Sequence, residues 1–327
     1  FQHQAFGDFQ AGEQRLIAAV AVAIVARALA GVGFSPLDNV VVAVNHVQPA
    51  GLIEFGQQLK GVGVGLNDGL LISIFPQLVS GPIVKAGEFL PQLCEDRNVS
   101  LVNLEKGVQI FLFGLFKKVV IADNIAVFVN AVYSNPVQFG GGTVLLAVVG
   151  YSIQLYCDFS GYSDMAVGCA RGLGYELPRN FNMPYLSRSV KEFWKRWHIS
   201  LSTWLMEYLY IPLGGNRCSR ARHLLNLMTV FLVSGLWHGA AWTYVLWGFL
   251  HGMYQVVGIL TKKLRAGAYA ALRIDPDSKP AHIWRRAVTF ALVSFAWIFF
   301  RAGSIGDLGI LLGKLFTAWQ PGEAFAS

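Results

Sequence analysis

The apolar residues of this chain come in long blocks rather than in the spaced stripes of a soluble domain. Residues 224–261 contain no Asp, Glu, Lys or Arg, length enough for nearly two membrane spans of about 20 residues each. Residues 124–157 are equally free of acidic and basic side chains. From the N-terminus, the pattern places a first span at 16–34, just after Arg15 and with Arg27 inside it. Residues 70–84, LLISIFPQLVSGPIV, are apolar but carry Pro76, Gly81 and Pro82, which predicts a broken or re-entrant helix. A polar stretch follows at 85–106, then a helix over 107–132 interrupted by Lys117, Lys118 and Asp123. NPVQFGGG at 135–142 reads as a loop, and 143–157 as the next span. Two spans fall within 224–261, a polar connection within 262–285, a further span at 288–300 closed by Arg301, and a last helix at 305–319.

Residues 187–211, SRSVKEFWKRWHISLSTWLMEYLYI, follow a different rule. Ser189 and Glu192 have capping-box spacing, which sets a helix start. Wound at about 100° per residue, Phe193, Trp194, Trp197, Leu201, Trp204, Leu205 and Tyr208 fill one arc, with Arg196 and Glu207 opposite. One helix lying in the membrane interface is the expectation. His198 falls at the margin of the apolar arc, and PLGGN at 212–216 ends the element.

Composition agrees: 54% of the 327 residues are hydrophobic and only 14% charged. The fold class read from this is all-α, a polytopic membrane protein built as a multi-pass helical bundle with re-entrant and interfacial helices. The net charge of +7 is concentrated. Nine Lys or Arg lie between Ala170 and His223 against three Glu, which predicts a cytoplasmic segment by the positive-inside rule. Basic residues between apolar blocks suit an anionic leaflet better than nucleic acid. The four cysteines, Cys94, Cys157, Cys169 and Cys218, show neither a disulfide framework nor zinc-site spacing. The chain opens at Phe1 and its first Met is Met165, so a fragment or a shifted reading frame is expected.

Candidate chemistry centres on histidine. An imidazole inside an apolar segment is costly unless it is paired or lines a wet cavity, which makes His238 the first candidate. Gly235 and Gly239 let backbones approach it, and Trp237 and Trp242 are expected to wall a cavity. A general base needs a neutral imidazole, the form that an apolar surrounding favours. His251 lies about 140° away around the helix and is read as structural. His198 is either an interfacial anchor or a second site residue. Asp158 and Asp164 are read as bracing a turn at the end of the span. There is no GxSxG elbow, Walker A loop, HExxH pair or paired carboxylate face, and no metal site is expected.

Six stretches in order, FPQLVSGPIVK, YCDFSGYSDMAVG, NFNMPYLSRSVKEFWKRWHISLSTWL, YLYIPLGGNR, GLWHGAAWTYVLWGFLHG and WIFFRA, carry a family resemblance. Together they resemble the bacterial membrane-bound O-acyltransferases (MBOAT), in the branch of the alginate O-acetylation proteins and related polysaccharide or peptidoglycan O-acetyltransferases. YIPLGGNR favours that branch over the teichoic-acid D-alanyl transferases. Where the family usually has Arg-Asp after STWL, this chain has Met206-Glu207.

The resemblance implies a helical ring around a thinned central cavity, with His238 as catalytic residue and His198 as the second family histidine. It also implies transfer of an acetyl or other acyl group from a cytoplasmic thioester such as acetyl-CoA toward an exported polysaccharide such as alginate. A periplasmic acetyltransferase partner would complete delivery, and the chain would sit in the bacterial inner membrane with no bound cofactor. Residues 69–327 form the acyltransferase domain, with 170–223 cytoplasmic or interfacial, and 1–68 form an atypical N-terminal segment. A transporter and a non-catalytic scaffold for a periplasmic acetyltransferase are the competing classes.

Overall fold

The computed structural model describes residues 82–94 and 100–317. Among them every regular element is helical and there is no strand. The elements are α1 (Ala86–Cys94), α2 (Leu101–Leu115), a π-helical segment (Phe116–Ala122), α3 (Asp123–Ser134), α4 (Gly141–Gly172), α5 (Val190–Trp194), α6 (Ile199–Leu205), a second π-helical segment (Met206–Tyr210), α7 (Arg220–His238), α8 (Trp242–Leu260), α9 (Lys262–Ala271), α10 (Lys279–Arg301) and α11 (Ile305–Thr317). Two of these, α4 and α10, are long and apolar enough to cross a membrane. The expected span at 16–34, most of the broken helix at 70–84 and the boundary at 68/69 lie outside the described residues.

The contacts divide the chain into two compact units. The described part of the first comprises residues 82–122 and 156–180. Its organising feature is an antiparallel crossing of α2 and its π-helical continuation with the C-terminal half of α4. A methyl group built on Gly114 would lie 2.5 Å from the Gly161 carbonyl oxygen, and one on Gly107 would lie 2.6 Å from that of Gly168. Each helix thus carries two glycines seven residues apart, and the helices meet backbone to backbone at both levels. Beyond the glycines the register continues in charge. Lys117 Nζ lies 2.6 Å from Asp164 Oδ2 and donates to Ser160 Oγ at 2.9 Å, and Lys118 Nζ lies 2.5 Å from Asp158 Oδ1. The lysines that interrupt the predicted helix do not end it. The chain is helical from Leu101 to Ser134, and the interruption takes the form of a π-helical segment. The aspartates do not brace a turn either, because α4 runs on through YCDFSGYSDMAVG to Gly172. With their charge answered by lysine, they no longer favour a helix end.

The second unit comprises 123–155 and the described residues from 181 onward. Here α7 and α8 form a close antiparallel hairpin. A methyl group on Gly235 would collide with the Tyr244 carbonyl, and one on Gly248 with the Phe231 carbonyl. The buried polar groups pair within the unit: Ser152 Oγ donates to Val148 O and meets Ser294 Oγ at 2.9 Å, and the Tyr185 hydroxyl donates to Ser152 O at 2.6 Å. The polar connection expected at 262–285 is itself largely helical, as α9 and the first turns of α10, with the Ser278 hydroxyl accepting from Ala281 N–H at the α10 N-cap.

The expected single helix over 187–211 is broken. Ser189 does cap α5, accepting from Glu192 N–H at 3.1 Å, but the helix stops at Trp194 and restarts at Ile199. His198 makes the break without Gly or Pro. It adopts left-handed backbone angles, φ 45° and ψ 57°, and its own Nδ1 accepts from Leu201 N–H, serving as the N-cap of α6. The Asn182 N–H donates to Arg196 O at 2.9 Å and secures the loop.

Backbone contact at Gly248 yields a direct test. Gly248→Ala forces α7 and α8 apart and is expected to cost about 1–3 kcal/mol of stability. Gly258→Ala on the same helix, with nothing within 4 Å of the added methyl, should be neutral or stabilising. Thermal unfolding of the purified protein in detergent distinguishes them, and equal midpoints would refute the close contact.

Candidate active site

His238 is the last residue of α7 and half-buried. Four rings surround its imidazole: Trp237 at 4.8 Å between centroids, Phe300 at 5.0 Å, Trp247 at 5.2 Å and Tyr244 at 6.5 Å. The first three meet it edge to face. Of the two tryptophans expected beside His238, Trp237 contacts its ring and Trp242 is 72% exposed. Its place is taken by residues further along α8 and on α10, because the chain turns sharply between α7 and α8. Gly239 admits the Tyr244 ring, since a methyl there would lie 2.7 Å from it.

His198 comes to the same place from another element. Buried to 6% exposure, it lies with its ring centroid 6.2 Å from that of Trp237, edge to face. Trp237 therefore touches both candidate histidines. Since His198 Nδ1 accepts the Leu201 N–H, a neutral His198 carries its proton on Nε2.

His251 is fully buried, as expected of a structural residue. Its Nδ1 accepts from Trp194 Nε1–H at 3.2 Å, and its ring packs against Trp194, Trp247, Tyr254 and Phe231. Trp247, also fully buried, lies between the two histidines of the apolar block, 5.0 Å from His251 and 5.2 Å from His238. It stacks on Trp297 as well, and Trp297 in turn contacts Trp197. An aromatic core thus joins α5, α8 and α10 behind His238.

A polar cluster flanks α5. Arg196 Nη2 lies 2.7 Å from Glu192 Oε1, and Arg188 N–H donates to Glu192 Oε2 at 2.8 Å. Arg188 Nη1 reaches His282 Nε2 at 3.1 Å. A guanidinium only donates, so that nitrogen is the acceptor. Burial pushes the Glu192 carboxyl upward. The Arg188 N–H and the Arg196 and Arg188 guanidiniums outweigh it and hold the carboxyl below its ordinary range. Among the described residues no three His, Cys, Asp or Glu side chains are placed to hold a metal ion.

Comparison with known proteins fits this arrangement. Residues 71–300 match the family model described as MBOAT, membrane-bound O-acyltransferase family. The chain belongs to that family. It is 43% identical over 253 residues to a peptidoglycan O-acetyltransferase of Helicobacter pylori, covering 76% of this chain and 46% of that protein. It is 40% identical over 256 residues to a probable alginate O-acetylase, AlgI, of Pseudomonas aeruginosa, covering 77% of this chain and 46% of the relative. A teichoic acid D-alanyltransferase of Bacillus subtilis is 30% identical over 243 residues, 70% of this chain and 59% of that protein. The chain spans about half the length of the O-acetylating relatives it matches.

What sequence reasoning missed in this member of the family is the contribution of α10, which supplies Trp297 and Phe300 to the site and ends on Arg301. Reading its sequence at helical spacing would have found two rings on one face, but not what they face.

The Glu192 cluster carries a pH prediction. With its carboxyl held below the usual value of 4.5, Glu192 contributes stability that is present above that value and lost as pH falls through the lower, folded-state one. The thermal midpoint of the wild-type protein should therefore drop as pH is lowered below about 4.5. Glu192→Gln should start lower at pH 7 and fall less over that interval. Parallel curves would remove the ion pair from the account.

Proposed function

We propose that this chain transfers an acyl group, most simply acetyl, from a cytoplasmic thioester such as acetyl-CoA across the membrane toward an exported polysaccharide such as alginate. In this reading it is a multi-pass protein of the bacterial inner membrane, its helices ring a central cavity, and a periplasmic acetyltransferase partner completes delivery. The observation that carries the reading is the placement of His238 among four aromatic rings, one of which, Trp237, also contacts His198. Family membership and the names of the relatives support the reaction class.

His238 is the general base. As the acceptor oxygen attacks the thioester carbonyl, the imidazole takes its proton. When the tetrahedral intermediate collapses, the C–S bond breaks and the thiolate leaves, and the imidazolium returns one proton to sulfur. The aromatic walls exclude water, which limits hydrolysis of the thioester. His198, held in a left-handed conformation by its own cap, is the second site residue. Residues held in sparsely populated backbone regions cluster at functional sites, which agrees with that role. On the donor side the exposed Arg217, Arg220 and Arg222 remain for a phosphate-bearing donor, whereas Arg188 and Arg196 are engaged by Glu192.

His238→Ala should lower acyl transfer from labelled acetyl-CoA by about 10²–10⁴-fold, the usual contribution of a general base, with the thermal midpoint little changed. Wild-type rates in the folded variant would sink the assignment, and full glycan acetylation in cells carrying His238→Ala would favour a scaffold. A transporter would transfer no label at all.

Orientation is tested separately. Cys218 is half-buried, with Sγ donating to Gly215 O and contacted by the Asn226 amide, so the exposed neighbour Asn216 is the better reporter. In a Cys218→Ser background, Asn216→Cys should resist a membrane-impermeant thiol reagent in spheroplasts and react once the membrane is opened. Labelling in intact spheroplasts would reverse the orientation and remove the cytoplasmic donor.

A further inference from the structure

Within the second unit α9 follows α8 after a single residue, Thr261, and has no buried residue of its own. Wound at about 100° per residue, Leu264, Ala268 and Ala271 fill one arc of this helix, and Lys262, Arg265 and Tyr269 fill another. The apolar arc is in the open, with Leu264 73% exposed. It also prolongs a stripe on α8. Leu246, Phe249, Val257 and Leu260 are exposed along one face of that helix, and Leu264 follows at the same spacing. A helix of this kind, basic on one side and apolar on the other, suits the plane between lipid headgroups and acyl chains.

The junction itself is built around charge. Thr261 Oγ1 donates to Val257 O at 2.6 Å, and Arg265 Nη2 donates to Gly258 O at 2.8 Å. These bonds serve carbonyls of the last turn of α8, and the second one fixes a guanidinium against the helix end. Gly258 leaves the space beside it open, since a methyl group there would meet nothing within 4 Å. A guanidinium has five N–H donors, and this contact uses one. Lys262, Lys263, Arg265 and Arg273 fall between Thr261 and Ile274 with no acid among them. Among the described residues no carboxylate pairs with any of the four. A soluble anion would answer the cations and leave the apolar stripe bare. A phospholipid with net negative charge answers both, and a guanidinium fork matches its phosphate in shape.

We propose that the α8–α9 junction is a binding site for an anionic phospholipid, with Arg265 and Lys262 holding the phosphate and an acyl chain lying along Leu260 and Leu264. α9 then rests in the headgroup layer, its basic arc toward the phosphates. In a zwitterionic lipid the ammonium cancels the phosphate, so the site selects by net charge. The proposal rests on the membrane location of the family and is independent of the acyl-transfer reading, to which it adds a lipid partner. It also ties the α7–α8 hairpin, which ends in His238, to one kind of leaflet. The two helices are antiparallel, so the end of α8 and the start of α7 beside Arg217, Arg220 and Arg222 share one side.

The purified full chain in detergent is titrated with phosphatidylglycerol, with phosphatidylcholine of the same acyl chains, and with glycerol phosphate as the headgroup alone. Native mass spectrometry counts what each sample retains. Wild type should hold phosphatidylglycerol at least about ten-fold more tightly than phosphatidylcholine, and salt should erode the difference. One basic residue at a lipid surface contributes roughly five-fold in affinity. Lys262→Gln should therefore cut the preference by about that factor, and Lys262→Gln combined with Arg265→Gln should abolish it. Arg265→Lys keeps the charge and should keep most of the preference. An arginine that only capped α8 would lower the thermal midpoint and leave the lipid preference untouched. Lys106→Gln removes an exposed cation from α2 and should change nothing. Should the double variant fail to fold, Lys262→Gln decides. The proposal is overturned if wild type does not discriminate, which would leave the basic arc to an acidic protein. It is equally overturned if the folded variants discriminate as wild type does, if Lys106→Gln loses as much as Lys262→Gln, or if glycerol phosphate binds as tightly as the lipid. His238→Ala should retain the preference in full, so failure of the lipid site and failure of the general base are read separately.

Discussion

The arrangement around His238 depends on how closely α7 and α8 can approach. Helices whose facing positions are glycine bring their backbones into direct contact, so small residues rather than interdigitating side chains set their spacing. Gly235 and Gly248 supply that closeness, each lying against the backbone of the opposite helix. With the helices so near, Trp247 is fully buried between His238 and His251 rather than splayed outward. From there its ring reaches Trp194, Trp297 and Phe300, which ties α5 and α10 to the hairpin. A bulkier residue at either glycine would move the whole set.

The second device is the break at His198. A continuous helix over 187–211 would have kept all its aromatic residues on one arc, facing a single surface. Broken at Lys195–His198, the same sequence offers its rings in two directions. Phe193 and Trp197 pack toward Trp297, and His198 turns to Trp237. A left-handed non-glycine residue has a conformational cost, offset in part by the bond from its own side chain to Leu201 N–H.

Much of this was legible in the sequence because the signals are of long range. The uncharged block at 224–261 marked most of α7 and α8, and Ser189–Glu192 marked the start of α5. His238 stood out as an ionisable group in apolar surroundings, whereas His198 became a candidate only through the family motif that holds it. What escaped notice depends on pairing between distant segments. Nothing local in YCDFSGYSDMAVG says that Asp158 and Asp164 are answered by Lys118 and Lys117, so a helix end looked reasonable. The periodicity of 187–211 could not show that a histidine would cap its own break. Arg301 looked like the end of a span because its surroundings, Asn130, Tyr133 and Tyr151, lie well over a hundred residues away in sequence.

The lysine–aspartate pairs of the first unit bear on how the chain is made. Lys117 leaves the ribosome 47 residues before Asp164, an interval of roughly two to ten seconds at ordinary synthesis rates. Until then α2 and its π-helical continuation present two cations without their carboxylate partners. The stretch that bears the lysines is thus complete only when α4 brings its carboxylates alongside. The glycines that set the register of that crossing therefore also set when, during translation, the charges can pair.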